Sequence, residues 1–380
     1  MAGPLAGIKI IEMAGIGPAP FTAMLLSDMG AEIIRVQAKG GKLAVPLLNS
    51  KFDVLARGRR SMAIDLKKDG AVDIVLQMIE SADAVLEGFR PGVMERLGLG
   101  PDICLERNPK LVFGRMTGWG QTGPMAARAG HDINYIALSG VLNAIGRKDT
   151  PPPVPLNLIG DFGGGQMMAF GIVCAILEAQ KSGKGQVVDV AMTDSTALMA
   201  SMLFGFKESG MWSNERHSNL LDGAAHFYDT YECSDGKFMA VGAIEPQFYT
   251  LLLEVLGLAD DEDFQKQNDP AMWEKLKARM TEIFLTKSRD EWTVLFEGLD
   301  ACVSPILDWD EAIAHPHNKA RETFMEIAGV AQPSPVPKFS RSKLEIPTPP
   351  AAKDAHTEEI LVDWGISSDD IARLRSTDAI

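Results

Sequence analysis

Cysteine is scarce in this chain, and its four copies are scattered. Cys104, Cys174, Cys233 and Cys302 make neither a CxxC pair nor a zinc-ligand spacing. A disulfide framework and a structural zinc site are not expected, and free thiols in a reducing compartment are. Long apolar runs are also missing. No segment reaches about 18 uninterrupted apolar residues, and the opening MAGPLAGIKIIEMAG carries no basic leader. Both point to a cytoplasmic chain that does not use a membrane, and Thr377-Asp378-Ala379-Ile380 is not a peroxisomal signal. Positive charge is in deficit: 37 Lys and Arg against 51 Asp and Glu give a net charge of −14. A nonspecific grip on nucleic acid or anionic lipid is not expected, so an anionic ligand has to be met by a local basic cluster. The dinucleotide fingerprint is incomplete as well. Gly15-Ile16-Gly17-Pro18 lacks the third glycine and carries proline, which argues against a nicotinamide or flavin site, and no pyridoxal motif is present.

What is there is ordinary globular composition, 46% hydrophobic over 380 residues, enough for two domains. Ile8–Met13 reads as a strand, Phe21–Met29 as a helix closed by Gly30, and Ala31–Val36 as the next strand. Strand, glycine turn, helix and strand make a βαβ unit, whose right-handed crossover places its strands in parallel. Further strands are expected at Ser61–Leu66, Ala84–Glu87, Leu111–Met116 and Val187–Met192, with Lys39–Leu55 left unassigned. The fold class is therefore α/β, a doubly wound, Rossmann-like large domain with a smaller α+β domain. Boundaries are set at 1–212 for the large domain, 213–225 for a linker, 226–325 for the small domain, 326–355 for a proline-rich strap and 356–380 for C-terminal helices. The small domain opens with the hairpin His226–Cys233 and Phe238–Gly242 around Ser234-Asp235-Gly236-Lys237.

Two stretches concentrate chemistry. His131 stands in Gly130-His131-Asp132-Ile133-Asn134-Tyr135, ahead of an apolar helical run. Asp161 stands before Phe162-Gly163-Gly164-Gly165 and a second run with helical spacing. Asp161 is either an N-cap satisfying free amides or a carboxylate facing a ligand, and the triple glycine would let a ligand approach those amides. His131 is either a structural hydrogen-bonding residue or a base. Arg57-Gly58-Arg59-Arg60 with Lys67-Lys68 is either a solvated face or a phosphate site, and Arg35 ends the second strand. The methionines, 19 in all, fill core or line an apolar acyl-binding surface.

These motifs carry a resemblance. GRRSMAIDLKK, EGFRPGVMERLGLGP, GHDINYIALSGVL, PLNLIGDFGGG and VGAIEPQFY make the chain similar to the class III CoA-transferase family over nearly its full length. The resemblance implies that the large domain binds CoA and that two bases act on the carbon next to an acyl-CoA thioester. His131 and Asp161 fall on the family's catalytic His and Asp, and Glu245 on a residue that the resemblance implies orients His131 across a subunit boundary. The CoA contacts map to Arg35, Met62, Ala63, Ile64, Asp65, Glu87, Arg90 and Arg96, and to Gly130, Asp132, Ile133, Asn134 and Tyr135. The C-terminal helices are implied to return to the large domain, closing rings that interlock as a homodimer. The expected activity is epimerisation of R and S 2-methylacyl-CoA thioesters through an enolate, with no metal and no cofactor beyond the CoA of the substrate. The alternative is CoA transfer with Asp161 as the nucleophile. Backbone amides near Gly163 or Asp161 are the expected oxyanion donors.

Overall fold

The computed structural model describes residues 3–40 and 50–380. Residues 41–49 of the unassigned stretch lie outside the described residues, and its described part includes a short 3-10 turn, Val54–Ala56. The chain divides into two compact units. One comprises Met1–Ser139, Pro155–Met199 and Ala320–Ile380, the other Gly140–Val154 and Ala200–Lys319.

The larger unit is built on six strands: β1 Lys9–Met13, β2 Glu32–Ala38, β3 Arg60–Ile64, β4 Ala84–Glu87, β5 Val112–Thr117 and β6 Gln186–Ala191. They lie in the order β3-β2-β1-β4-β5-β6, every pairing parallel. Both faces of such a sheet are covered, so its inner strands bury successive apolar residues instead of alternating. Neighbouring residues nevertheless serve opposite faces. Ile11, Ile34, Val85 and Phe113 pack under the helix Ala71–Ile79, and Ile10, Ile33, Leu86 and Val112 under the helix Gly163–Ser182. The helices Thr357–Asp363 and Ser368–Ser376 complete the first layer, with Ile360, Leu361 and Leu374 fully buried in it.

The basic cluster goes to this scaffold, not to a ligand. Arg57 bonds Asp28 through both Nε (3.1 Å) and Nη2 (2.5 Å), and its Nη1 donates to Gln332 Oε1 (3.0 Å) and the Pro333 carbonyl (2.7 Å). Arg59 pairs with Glu12 at 2.8 Å in the sheet interior. Arg60 reaches Glu32, Glu359 and Asp363, clamping a C-terminal helix to the sheet edge. Burial pushes the Glu12 carboxyl up and the Arg59 guanidinium down, each opposed by its partner. The phosphate-site reading of these arginines is therefore corrected: their charges are spent on internal carboxylates.

The smaller unit contains the antiparallel sheet β7 Tyr228–Glu232, β8 Phe238–Gly242 and β9 Val303–Pro305. Helices Pro246–Leu256, Pro270–Phe284 and Arg289–Phe296 cover it, and Tyr231 stacks on Phe284 with ring centroids 4.9 Å apart. His226 is fully buried against the Tyr249 hydroxyl (2.7 Å), and burial pushes its pKa down to about 3, which keeps it neutral. Residues 140–154, assigned from sequence to the large domain, belong to this unit because Arg147 clamps Asp229 of β7 with two bonds of 2.6 and 2.8 Å. Two helices, Met192–Met199 and Ser201–Glu208, follow β6, and the boundary between units falls at the break between them. The strap is not extended throughout: β10 Phe324–Ile327 and β11 Val330–Pro333 form a hairpin across its expected start.

Arg57→Ala leaves Asp28 charged at a site where both side chains are 2% exposed. The variant is expected to lose about 3–5 kcal/mol of stability, the usual cost of removing one partner from a buried pair, measured by urea denaturation.

Candidate active site

A cavity of about 480 Å³ opens at the C-terminal ends of the parallel strands. Its walls are the turn Ile16-Gly17-Pro18 after β1, Gly88–Pro91 after β4, the Met116–Trp119 segment at the end of β5, and Met192 after β6. The loop through Ala126 and Arg128 to His131, with Tyr135, Asn157 and Asp161, closes the remaining side. Sheet order reverses between β1 and β4, and the crevice beside that reversal is where doubly wound folds bind ligands.

His131 is the N-cap of the helix Asp132–Leu138, in extended backbone, and its N–H donates to Asn134 Oδ1 at 3.0 Å. The side chain is exposed toward the cavity it lines. Tyr135, one turn on, meets Trp119 edge to face (4.8 Å between centroids) and donates its hydroxyl to the Gly130 carbonyl. Arg90 and Arg128 stand exposed on the lining and give an acidic chain a local positive mouth.

Asp161 does not cap a helix. It lies inside a π-helical turn, Leu158–Phe162, that runs directly into the helix Gly163–Ser182. Such turns widen the backbone spiral and recur at functional sites. The carboxylate faces the cavity, where Oδ2 accepts from Asn157 Nδ2 at 3.2 Å. Gly17, at φ 71°, passes so close that a Cβ there would sit 3.3 Å from Asp161 Oδ2. Burial is the main cause that raises the Asp161 pKa. The Asp132 charge adds to it, while the Asn157 bond and His131 oppose it.

The expected oxyanion donors are already engaged. The Asp161 N–H donates to Asp132 Oδ2 at 2.8 Å, and the Gly163 N–H points to the Gly160 and Leu158 carbonyls. The triple glycine serves packing instead of ligand approach. A Cβ would meet Met199 Cε at 2.6 Å from Gly163, Met116 Cε at 2.6 Å from Gly164 and Phe21 Cδ1 at 2.8 Å from Gly165.

Of the residues anticipated from sequence, His131, Asp161, Arg90, Gly130 and Tyr135 meet at this cavity. Asp132 is buried behind it. Ile133, Asn134 and Arg96 are exposed outside its lining. Arg35 is buried on β2 and paired with Asp53 at 3.1 Å. Glu87 is buried between the Phe89 amide (2.6 Å) and Arg115 (2.9 Å). Met62 and Ile64 are sheet interior, and the Asp65 amide donates to the Ala379 carbonyl. Ala63 lines a separate cavity of about 430 Å³ with Lys39, His356, Arg375 and Ile380. Glu245 belongs to the smaller unit, as the N-cap residue before Pro246. Gly17, Trp119, Arg128, Asn157 and Met192 were not singled out as site residues. Trp119 and Arg128 sit in the glycine-rich loop before His131 and were legible there, whereas Met192 reaches the cavity only through the crossover to β6. Among the described residues, no group of three or more His, Cys, Asp and Glu converges as a metal site would.

The fold and this arrangement have known counterparts. Alpha-methylacyl-CoA racemase of Mus musculus is 45% identical over 98% of this chain and 96% of its own length, and that of Homo sapiens 44% over the same shares. The crystal structure of a CAIB/BAIF family protein from Brucella suis superposes with a TM-score of 0.83 at 25% identity, over 96% of this chain and all of that one. The family model for CoA-transferase family III matches residues 5–357, spanning the parallel sheet, the cavity and the smaller unit, so the chain belongs to CoA-transferase family III.

Proposed function

We propose that the chain interconverts the R and S forms of 2-methyl-branched acyl-CoA thioesters. The observation that carries this is the meeting of an imidazole, His131, and a carboxylate, Asp161, in one cavity from two different elements, on a framework 44–45% identical to the racemases named above. The thioester carbonyl acidifies the neighbouring C–H. One base takes that proton, and the electron pair of the broken bond delocalises onto the thioester oxygen. The conjugate acid of the other base then returns a proton to the opposite face of the planar carbon, and the roles exchange for the other enantiomer. With the amides of Asp161 and Gly163 engaged elsewhere, and those of Asn134 and Tyr135 donating to the His131 carbonyl, the oxyanion is assigned to the Asp132 and Ile133 N–H groups at the start of the helix that begins at Asp132. Burial of Asp161 favours its basic role, since a raised pKa makes the ionised form a stronger proton acceptor.

The CoA phosphates are assigned to Arg90 and Arg128 at the cavity mouth. A homodimer is supported by the outward face of the helix Gly163–Ser182. Its length and apolar composition would suit a membrane span, but one side packs on the sheet while Phe170 (65% exposed) and Leu177 (52%) are left to solvent. A second copy would cover that face, and the orienting role expected of Glu245 belongs to this assembly. Light scattering is expected to give twice the chain mass for the wild type and a lower mass for Leu177→Asp; a monomeric wild type would remove the dimer.

Proton NMR of one enantiomer of a 2-methylacyl-CoA in deuterated water reads the chemistry. His131→Ala and Asp161→Asn are each expected to lose about 10²- to 10⁴-fold in racemisation. Each variant should retain some exchange, without inversion, from the enantiomer facing its surviving base. Inversion at wild-type rate in either variant would rule out the two-base cycle. Hydroxamate formed at Asp161 on adding hydroxylamine during turnover would instead indicate CoA transfer.

Arg90→Ala is expected to weaken CoA binding by about 1.5–3 kcal/mol, the value of a hydrogen bond to a charged group. Titration calorimetry with free CoA measures this, and an unchanged affinity would move the phosphates away from the mouth.

A further inference from the structure

The structure assigns to Asp132 a positioning role: its carboxylate brackets the π-helical turn that carries Asp161 to the helix that His131 opens, and so holds the two bases across the cavity. This rests on the proton-transfer reading above. Asp132 is 4% exposed, and its side chain is buried behind the cavity wall, where it does not line the space that CoA would occupy. Its Oδ2 accepts two successive backbone amides, Gly160 N–H at 2.7 Å and Asp161 N–H at 2.8 Å. The approach depends on glycine at position 160, since a Cβ there would sit 2.7 Å from Asp132 Oδ2.

The bracket joins residues 132 and 161 across separate elements, and it fixes the peptide of Asp161 while leaving its carboxylate on the cavity. The other oxygen, Oδ1, is buried with no hydrogen-bond partner. A half-satisfied buried carboxylate is a costly way to tie two segments together, because a neutral acceptor would be cheaper to desolvate. What the charge adds is felt next door: it opposes ionisation of Asp161 and makes that residue a stronger base.

The groups that share this surrounding are His131 and Tyr135 on the facing helix and Arg90 at the mouth. On the helix Met192–Met199, Asp194 is exposed, and on Pro18–Asp28 the terminal Asp28 is paired with Arg57. On Gly163–Ser182, Cys174, Glu178 and Lys181 lie in its later turns.

Two variants separate the bracket from the charge. Asp132→Asn removes the charge and weakens the bracket, whereas Gly160→Ala forces the bracket apart and keeps the charge. Both are expected to lower kcat, by about 10²-fold if Asp161 moves by an ångström, while calorimetric affinity for free CoA stays at the wild-type value. For the enantiomer that Asp161 deprotonates, the acidic limb of kcat/KM should move to lower pH in Asp132→Asn and stay in place in Gly160→Ala. Weakened CoA binding with unchanged kcat in Asp132→Asn would make Asp132 a CoA contact and overturn the proposal, as would wild-type rates in both variants. Loss of folded structure in both, read by circular dichroism, would make the bracket a folding element and overturn it as well. A wild type that exchanges no α-proton removes the proton-transfer reading itself, before any variant is compared.

Discussion

The pairing of β1 with β2 on one side and β4 on the other is the constraint on which the cavity depends. Strand order reverses there, so the crossover helices leave toward opposite faces and the turns after β1 and β4 part. Ile16-Gly17-Pro18 and Gly88–Pro91 become facing walls for that reason. The remaining wall is brought in by the long crossover between β5 and β6, which carries both His131 and Asp161. A parallel sheet thus supplies the floor, and one excursion of chain supplies the chemistry.

Charge is distributed according to the same division. Arg57 and Arg59 near β3 are buried against Asp28 and Glu12, where desolvation is expensive and pairing recovers part of the cost, and the partly exposed Arg60 is paired with the C-terminal acids. Arg90 and Arg128 stay exposed at the cavity. An acidic protein can therefore still present a positive mouth to an anionic thioester, because its most clustered basic residues are neutralised internally.

The parallel sheet and its helices were legible because β-branched runs, glycine turns and apolar periodicity agree along the first part of the chain. The strand Ala84–Glu87 falls where it was expected. The pairing of His131 with Asp161 came from the family motif and the local crowding of polar groups. Less legible was anything set by contacts distant in sequence. Asp161 looked like a helix cap because an Asp before glycines and an apolar run also fits a capped start, whereas the folded backbone places it inside a π-helical turn whose amides donate to Asp132. The arginine cluster looked like a phosphate site because its partners lie as far away as Asp363. Residues 140–154 cross into the other unit with no break at their start, and the polar and proline run Arg147–Pro153 marks only their return.

The two C-terminal helices have a consequence for how the molecule is made. Ile360, Leu361 and Leu374 fill the same layer as Ile11, Ile34 and Phe113, so strands early in the sequence need helices far downstream before their core closes. Contacts of such long sequence separation are slow to form, and until those helices dock the sheet face beside Ala71–Ile79 is only partly covered. Closure of that layer therefore depends on residues far downstream, and a chain without them leaves Ile11, Ile34 and Phe113 less fully covered.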